Sequence, residues 1–329
     1  VSWRGEAFVI VVAGEALVDL VPSSEVSGGG LADLQPRPGG GPYNVAVAAG
    51  RLGAPTSFLS RISTDLFGDA LVDRLHASGV ASGLVQRGPE PTTLAVVGLA
   101  ADGSARYSFY VEGTADRRVA DPGGLADDVR AVSFGTLSMV LEPGASVYER
   151  VLVRECERGA LTVLDPNVRA MLITDPLAYR DRFESWLPHV GLLKVSVEDA
   201  RWLADLPEDA PDDEVLDVAR RWRAAGPAAV VLTRGGDGLV ALTGDGEVVR
   251  VPPTPVTVVD TIGAGDTVQG ALLAWLHEHD ALSAKAVRAL RPAEWAEALA
   301  HAGAAAAFTC TRAGAEPPTS EELAAFRSR

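Results

Sequence analysis

Short apolar runs rich in β-branched residues recur along this chain, and segments of helical period lie between most of them. The runs at 8–12, 58–62, 129–134, 161–164 and 192–195 suit buried strands. The patterns at 45–53, 63–79, 146–157 and 292–308 suit helices. Strands separated by helices can return to one sheet in the same direction, so the alternation predicts an α/β fold. Its central sheet is mostly parallel and carries helices on both faces. In such sheets ligands gather at the carboxyl ends of the strands. Two stretches depart from the alternation. The runs 92–100 and 106–111 are joined by Asp102-Gly103, a hairpin signal, and 229–238 reads as a strand and glycine turn leading back into 239–242. Residues 23–30 are polar and glycine-rich, as a loop is.

The stretch from Val256 to Trp275 carries the strongest chemical signal. Its β-branched start, 256–259, predicts a further buried strand. It then breaks at Gly263 and Gly265 and continues as a helix. The first N–H groups of a helix lack internal partners, and the helix dipole adds positive charge there. Glycines can take positive φ and let the backbone approach a ligand. The turn is a candidate anion hole with Asp266 at its mouth. A carboxylate there serves either as a base for a neutral hydroxyl or as a plain N-cap. Similar turns occur earlier. Gly39, Gly40 and Gly41 open a turn that ends at Asn44 and feeds the small-residue helix 45–53, where Asn44 would either cap the helix or bind a ligand. Asp165, Asn167 and Arg169 follow the strand at 161–164, and Asp19 follows the first strand.

Asp260-Thr261-Ile262-Gly263-Ala264-Gly265-Asp266-Thr267 closely resembles the C-terminal signature of the PfkB (ribokinase-like) sugar kinases, which phosphorylate a sugar or nucleoside hydroxyl with ATP. By that resemblance Asp266 is the catalytic base, and the N–H groups of Gly263, Ala264, Gly265 and Asp266 form the hole for the transferred phosphoryl group. Gly39, Gly40 and Asn44 match the family's N-terminal Gly-Gly signature, and Asp19 its sugar-binding aspartate. The resemblance implies one kinase domain over 1–329. A small β-sheet lid forms from 15–38 and 91–115, with Tyr107, Phe109 and Tyr110 as aromatic bulk and Phe109 as the expected sugar contact. Asp165-Pro166-Asn167-Val168-Arg169 resembles the Asp-x-Asn-x-Arg of fructokinases and 2-keto-3-deoxygluconate kinases, which places Asn167 and Arg169 at the substrate. Thr233, Gly235 and Gly238 resemble the nucleotide-side loop. Gly303 stands where many relatives carry Asn. Asp199 aligns with the glutamate that organises Mg²⁺ through water, although Ser196 replaces the usual Asn. Glu198 is the alternative carboxylate, and a salt-bridged helix N-terminus explains the two acids equally well. Residues 310–315, with Asp260 and Ile262, resemble a monovalent-cation (K⁺) loop. The resemblance runs from Gly14 to Ala315 and is strongest to bacterial fructokinases.

Composition narrows the partners. The 329 residues, 47% hydrophobic, can bury a large core. A net charge of −15 argues against nucleic acid and anionic membranes, which need a basic face. Cys156 and Cys310 are far apart and form no CxxC, so neither a disulfide framework nor a zinc site is expected, and a reducing cytoplasm fits. No apolar run approaches a membrane span. The expected activity is ATP-dependent phosphorylation of a primary sugar hydroxyl, fructose to fructose 6-phosphate, with sugar and ATP as partners and a homodimer through the lid. The alternatives are 2-keto-3-deoxygluconate, suggested by Arg169, another PfkB sugar or nucleoside kinase, and a catalytically silent sugar-binding relative. A Rossmann dehydrogenase is set aside because no Gly-x-Gly-x-x-Gly follows the first strand.

Overall fold

The computed structural model describes residues 9–22, 33–99 and 105–328. The 23–30 loop, the Asp102-Gly103 turn and the Tyr107 side chain lie outside the described residues. The strands described are β1 (Val9–Ala13), β2 (Leu17–Pro22), β3 (Leu34–Gly39), β4 (Thr56–Ser63), β5 (Val80–Ala81), β6 (Val85–Gly88) and β7 (Thr93–Leu99). They continue with β8 (Ala105–Tyr110), β9 (Val129–Gly135), β10 (Leu161–Asp165), β11 (Leu192–Ser196), β12 (Ala229–Thr233), β13 (Leu239–Leu242) and β14 (Val248–Val251). The helices are α1 (Gly41–Arg51), α2 (Leu66–Ala77), α3 (Gly144–Arg158), α4 (Pro176–Trp186), α5 (Val197–Leu203), α6 (Asp212–Ala225), α7 (Ala264–Glu278), α8 (Ala284–Ala289), α9 (Pro292–Cys310) and α10 (Ser320–Arg327).

The large sheet runs β14-β13-β12-β11-β10-β9-β1-β4-β5, with β6 beside β4. Its pairs from β12 through β4 are parallel, and only β12–β13 and β13–β14 are antiparallel. Side chains alternate between faces along each strand. Ile10 and Val12 join one apolar cluster with α1, α2, α7, α8, α9 and α10, while Val11 and Ala13 join another with α3, α4, α5 and α6. The strand–helix alternation read from the sequence is thus the layered α/β fold observed.

A separate sheet, β3-β2-β7-β8, stands off this body. Asp19 lies within β2 of this small sheet, rather than in a loop past β1. The predicted strand at 256–259 does not form. That segment is irregular, with Val258 and Val259 57% and 62% exposed. Pro252, Pro253 and Pro255 precede it, lack N–H donors and end β14 as a ladder member at Val251.

Candidate active site

Helix α7 begins at Ala264, with Gly263 as its N-cap at φ 76. Only Gly263 of the two signature glycines needs positive φ, because Gly265 is already helical. A Cβ on Gly263 would also lie 2.5 Å from Ala315 Cβ, in the chain after α9. On Gly265 a Cβ would lie 3.1 Å from Lys194 Nζ, so this glycine keeps space beside an ammonium group. Asp266 is in the first turn, 8% exposed. Its carboxylate does not cap the helix. Its Oδ2 accepts a hydrogen bond from Asn44 Nδ2 on α1 at 2.9 Å. Small residues allow that contact: a Cβ on Gly270 would sit 2.6 Å from Ala48 Cβ, so α1 and α7 pack nearly backbone to backbone. Asn44 is therefore an internal helix residue that holds Asp266, not a cap.

Burial pushes the Asp266 carboxyl up to about 6, against the lowering effects of the Asn44 hydrogen bond and the Lys194 charge. The helix N-terminus alone would favour the ionised form; desolvation outweighs it. Asp19 is likewise raised to about 6 by burial, with Arg169 opposing. Gly39 is tight against it, since a Cβ there would collide with Asp19 Oδ2. Glu15, between β1 and β2, is raised to about 7 by burial. It accepts hydrogen bonds from the N–H groups of Gly41 and Ser138, at 3.2 and 3.0 Å.

Two cavities meet at the start of α7. The first, about 420 Å³, is lined by Asp19, Gly40, Asn44, Phe109, Asn167, Arg169, Gly263, Gly265 and Asp266, and also by Glu15, Thr136 and Lys194. The second, about 410 Å³, is lined by Thr233, Gly235, Gly238, Gly303 and Ala264 among mostly apolar neighbours. Thr261 and Gly265 line both. The residues expected at the sugar, Gly39 excepted as backing, thus border the first cavity, and those expected at the nucleotide border the second. Of the aromatic residues on β8, Phe109 reaches the first cavity, while Tyr110 is 63% exposed.

The expected metal residues line neither cavity, apart from Ile262, which borders the first. Asp199 is raised to about 6 by burial and by the neighbouring Asp165, and its Oδ1 accepts the Val168 N–H at 3.1 Å. Ser196 caps α5 by accepting the Asp199 N–H. Glu198 is exposed. Among the described residues no three His, Cys, Asp or Glu side chains cluster around a point. Mg²⁺ takes oxygen ligands and keeps several waters. Of the expected carboxylates, Asp199 keeps oxygen lone pairs that fit a metal held through water. Asp260 ties two loops together, accepting from Ile262 N–H at 3.0 Å and Gly314 N–H at 2.7 Å. Its carboxylate retains lone pairs for a monovalent cation at that junction.

Sequence reasoning passed over Glu15 and Lys194. A signal for Lys194 was present: it interrupts the apolar run of β11 two residues after Leu192, on the face that meets α7.

The profile of the pfkB family carbohydrate kinase matches residues 8–322. The chain belongs to that family. A fructokinase of Rhizobium leguminosarum bv. trifolii is 38% identical over 86% of this chain and 84% of its own. Fructokinase-1 of Oryza sativa subsp. japonica is 33% identical over 97% of both chains. Among solved structures, the fructokinase of Xylella fastidiosa with bound ATP superposes with a TM-score of 0.85 at 26% identity, covering 98% of each chain. In this carbohydrate kinase two cavities meet at the α7 turn. No described helix is long and apolar enough to cross a membrane.

Proposed function

We propose that this chain is an ATP-dependent fructokinase that phosphorylates the primary 6-hydroxyl of fructose. The observation that carries the reading is Asp266, held by Asn44, at the helix mouth where a polar cavity and a largely apolar cavity join. Asp19, Asn44 and Asn167 would bind the sugar's hydroxyls, Arg169 would brace the Asn167 side chain beside them, and Phe109 would cover the sugar from the small sheet. Thr233, Gly235, Gly238 and Gly303 would border the nucleotide. Gly235 leaves open space on its surface side, and a Cβ at Gly303 would meet only Leu239 Cδ1, at 3.6 Å. The fructokinase relatives support fructose as the acceptor, and the ATP-bound neighbour supports ATP as the donor.

The chemistry asks little of the base. Phosphoryl transfer depends mainly on positioning and on stabilising charge. Asp266, half-ionised at about pH 6, accepts the hydroxyl proton as the sugar oxygen attacks. The N–H groups of the first α7 turn stabilise the charge on the transferred group. Mg²⁺, when bound, offsets charge on the ATP phosphates. The small sheet over the first cavity excludes water as a competing acceptor. A pair of copies joined through that sheet belongs to the same reading, supported by the exposed Tyr110, and sedimentation velocity would detect it. A cytoplasmic setting accords with two free cysteines.

A coupled ADP-release assay over fructose, ribose, 2-keto-3-deoxygluconate, adenosine and fructose phosphates tests the assignment. Fructose should give the highest kcat/KM. A higher value for the keto-acid would keep the kinase and replace the sugar, and Arg169 would then be the carboxylate partner.

A further inference from the structure

Lys194 sits on β11 with its side chain 5% exposed and its Nζ 2.6 Å from Asp165 Oδ2. It borders the first cavity, and its Nζ lies beside Gly265 in the first turn of α7. Burial alone would lower its pKa, but Asp165, with Asp266 and Asp199 beyond it, holds the pKa above the usual lysine value, so the group stays charged. A buried ion pair is weak evidence of a stabilising purpose, because apolar residues of similar size often do as well. This pair is also incomplete. Asp165 Oδ1 is buried with no partner, and buried polar atoms in folded proteins are almost always satisfied. Asp199 and Asp266 also act on the ammonium through space, with Arg169 as a second cation acting on both. The cluster borders the first cavity at the mouth of α7, where the kinase reading brings the transferred phosphoryl group.

The cations that line the two cavities among the described residues are Arg169 and Lys194, both in the first. Arg169 is exposed, and its Nη1 already donates to Asn167 Oδ1 at 2.8 Å and to the Asn167 and Val168 carbonyls at 3.1 Å. Lys194 Nζ lies beside Gly265, which lines both cavities. An ammonium is a compact charge with three donors that rotate. It can keep one hydrogen bond on Asp165 and turn the others toward an incoming oxygen.

We propose that Lys194 is a further catalytic residue, whose ammonium donates hydrogen bonds to the transferred phosphoryl group at the mouth of α7 while Asp165 holds it in place. This rests on the kinase reading above. No bond to Lys194 forms or breaks. The phosphoryl group passes from the ATP β-phosphate oxygen to the sugar oxygen, and the hydroxyl proton goes to Asp266. Charge stabilisation by one well-placed donor typically changes kcat by about 10²–10³-fold.

The test compares wild type, Lys194→Met and the double variant Asp165→Asn/Lys194→Met. The double variant removes both charges, so it guards against a fold lost to an orphaned aspartate. Wild-type fructose-dependent ADP release is measured first, and its absence over the whole sugar panel would sink the kinase reading itself. Given wild-type turnover, both variants should lose about 10²-fold or more in kcat. Fructose affinity by calorimetry without nucleotide should stay within about threefold, a loss too small to involve a direct contact. Affinity for ADP alone should hold, while trapping of ADP with aluminium fluoride and fructose should be lost in both variants. A double variant with kcat within about tenfold of wild type, or one that still traps aluminium fluoride tightly, would show Lys194 to be only the structural partner of Asp165 and would overturn the proposal.

Discussion

Replacing Asp266 by Asn separates what this carboxylate does for the reaction from what it does to the fold, and the two effects have opposite signs. As the base it contributes about 10²-fold or more to kcat. To the unliganded fold it is a burden. Its carboxyl is held at about 6 rather than 3.8 because burial penalises the charged form. For a carboxyl with a raised folded pKa, the stability contribution is full below the unfolded value of 3.8 and is lost as pH rises through about 6. Above that window the ionised group disfavours the folded state by about 3 kcal/mol. In Asp266→Asn the new amide would keep an oxygen for the Asn44 donor and carry no charge. Near pH 8 the variant should melt higher, by about 4 °C for a chain of this size. At pH 4 the difference should largely vanish. Calorimetric melts at the two pH values and steady-state ADP release with fructose read both effects on one preparation. A variant that is inactive but melts lower at pH 8 would show that Asp266 braces the fold as an ion. One that keeps near wild-type kcat would leave it no role as a base.

Other outcomes follow from the same geometry. The wild-type kcat profile should fall off on the acid side near pH 6, as Asp266 takes up a proton; a flat profile down to about pH 5 would remove it as the titrating base. Asn44→Ala removes a hydrogen bond that lowers the Asp266 pKa, so the acid limb should move to higher pH while the sugar KM rises; an unmoved limb would separate Asn44 from the base. Gly263→Ala should destabilise the fold by about 1–3 kcal/mol, through positive φ and the Ala315 contact. Gly265→Ala should lower kcat with little loss of stability, because its site is helical and the added carbon crowds only Lys194 Nζ. Denaturant melts and turnover on both variants check the division, and equal destabilisation would refute it. Arg169→Ala should show its loss mainly in kcat with fructose. A defect confined to KM, with brisk turnover of 2-keto-3-deoxygluconate, would replace fructose by the keto-acid.

What the sequence revealed and what it hid have physical causes. The layered fold was legible because a buried parallel strand needs a continuous apolar run and a covering helix needs a stripe, and both leave local periods. The two glycine turns were legible because turn chemistry is local as well. The failed strand at 256–259 shows the limit of that reasoning. β-branched residues are permitted in any extended chain; here the prolines end β14 just ahead of them, and the Val259 N–H donates to the Cys310 carbonyl at the end of α9 instead of to a strand. The raised pKa of Asp266 is hidden for a related reason. The helix N-terminus that favours its charge is visible in the sequence, but the α1–α7 contact that buries it depends on Ala48 and Gly270, residues from opposite ends of the chain that meet only in the fold. Lys194 illustrates the same gap at a single site. A lysine inside an apolar strand reads as an anomaly, and two facts turn it into chemistry. Strand alternation puts it on the same face as Asp165 of β10, and α7 ends its approach directly over that face. The first is a period of two that a sequence displays. The second is a long-range crossing that no local pattern encodes, which is why Lys194 was passed over although most of its neighbours around the first cavity were named.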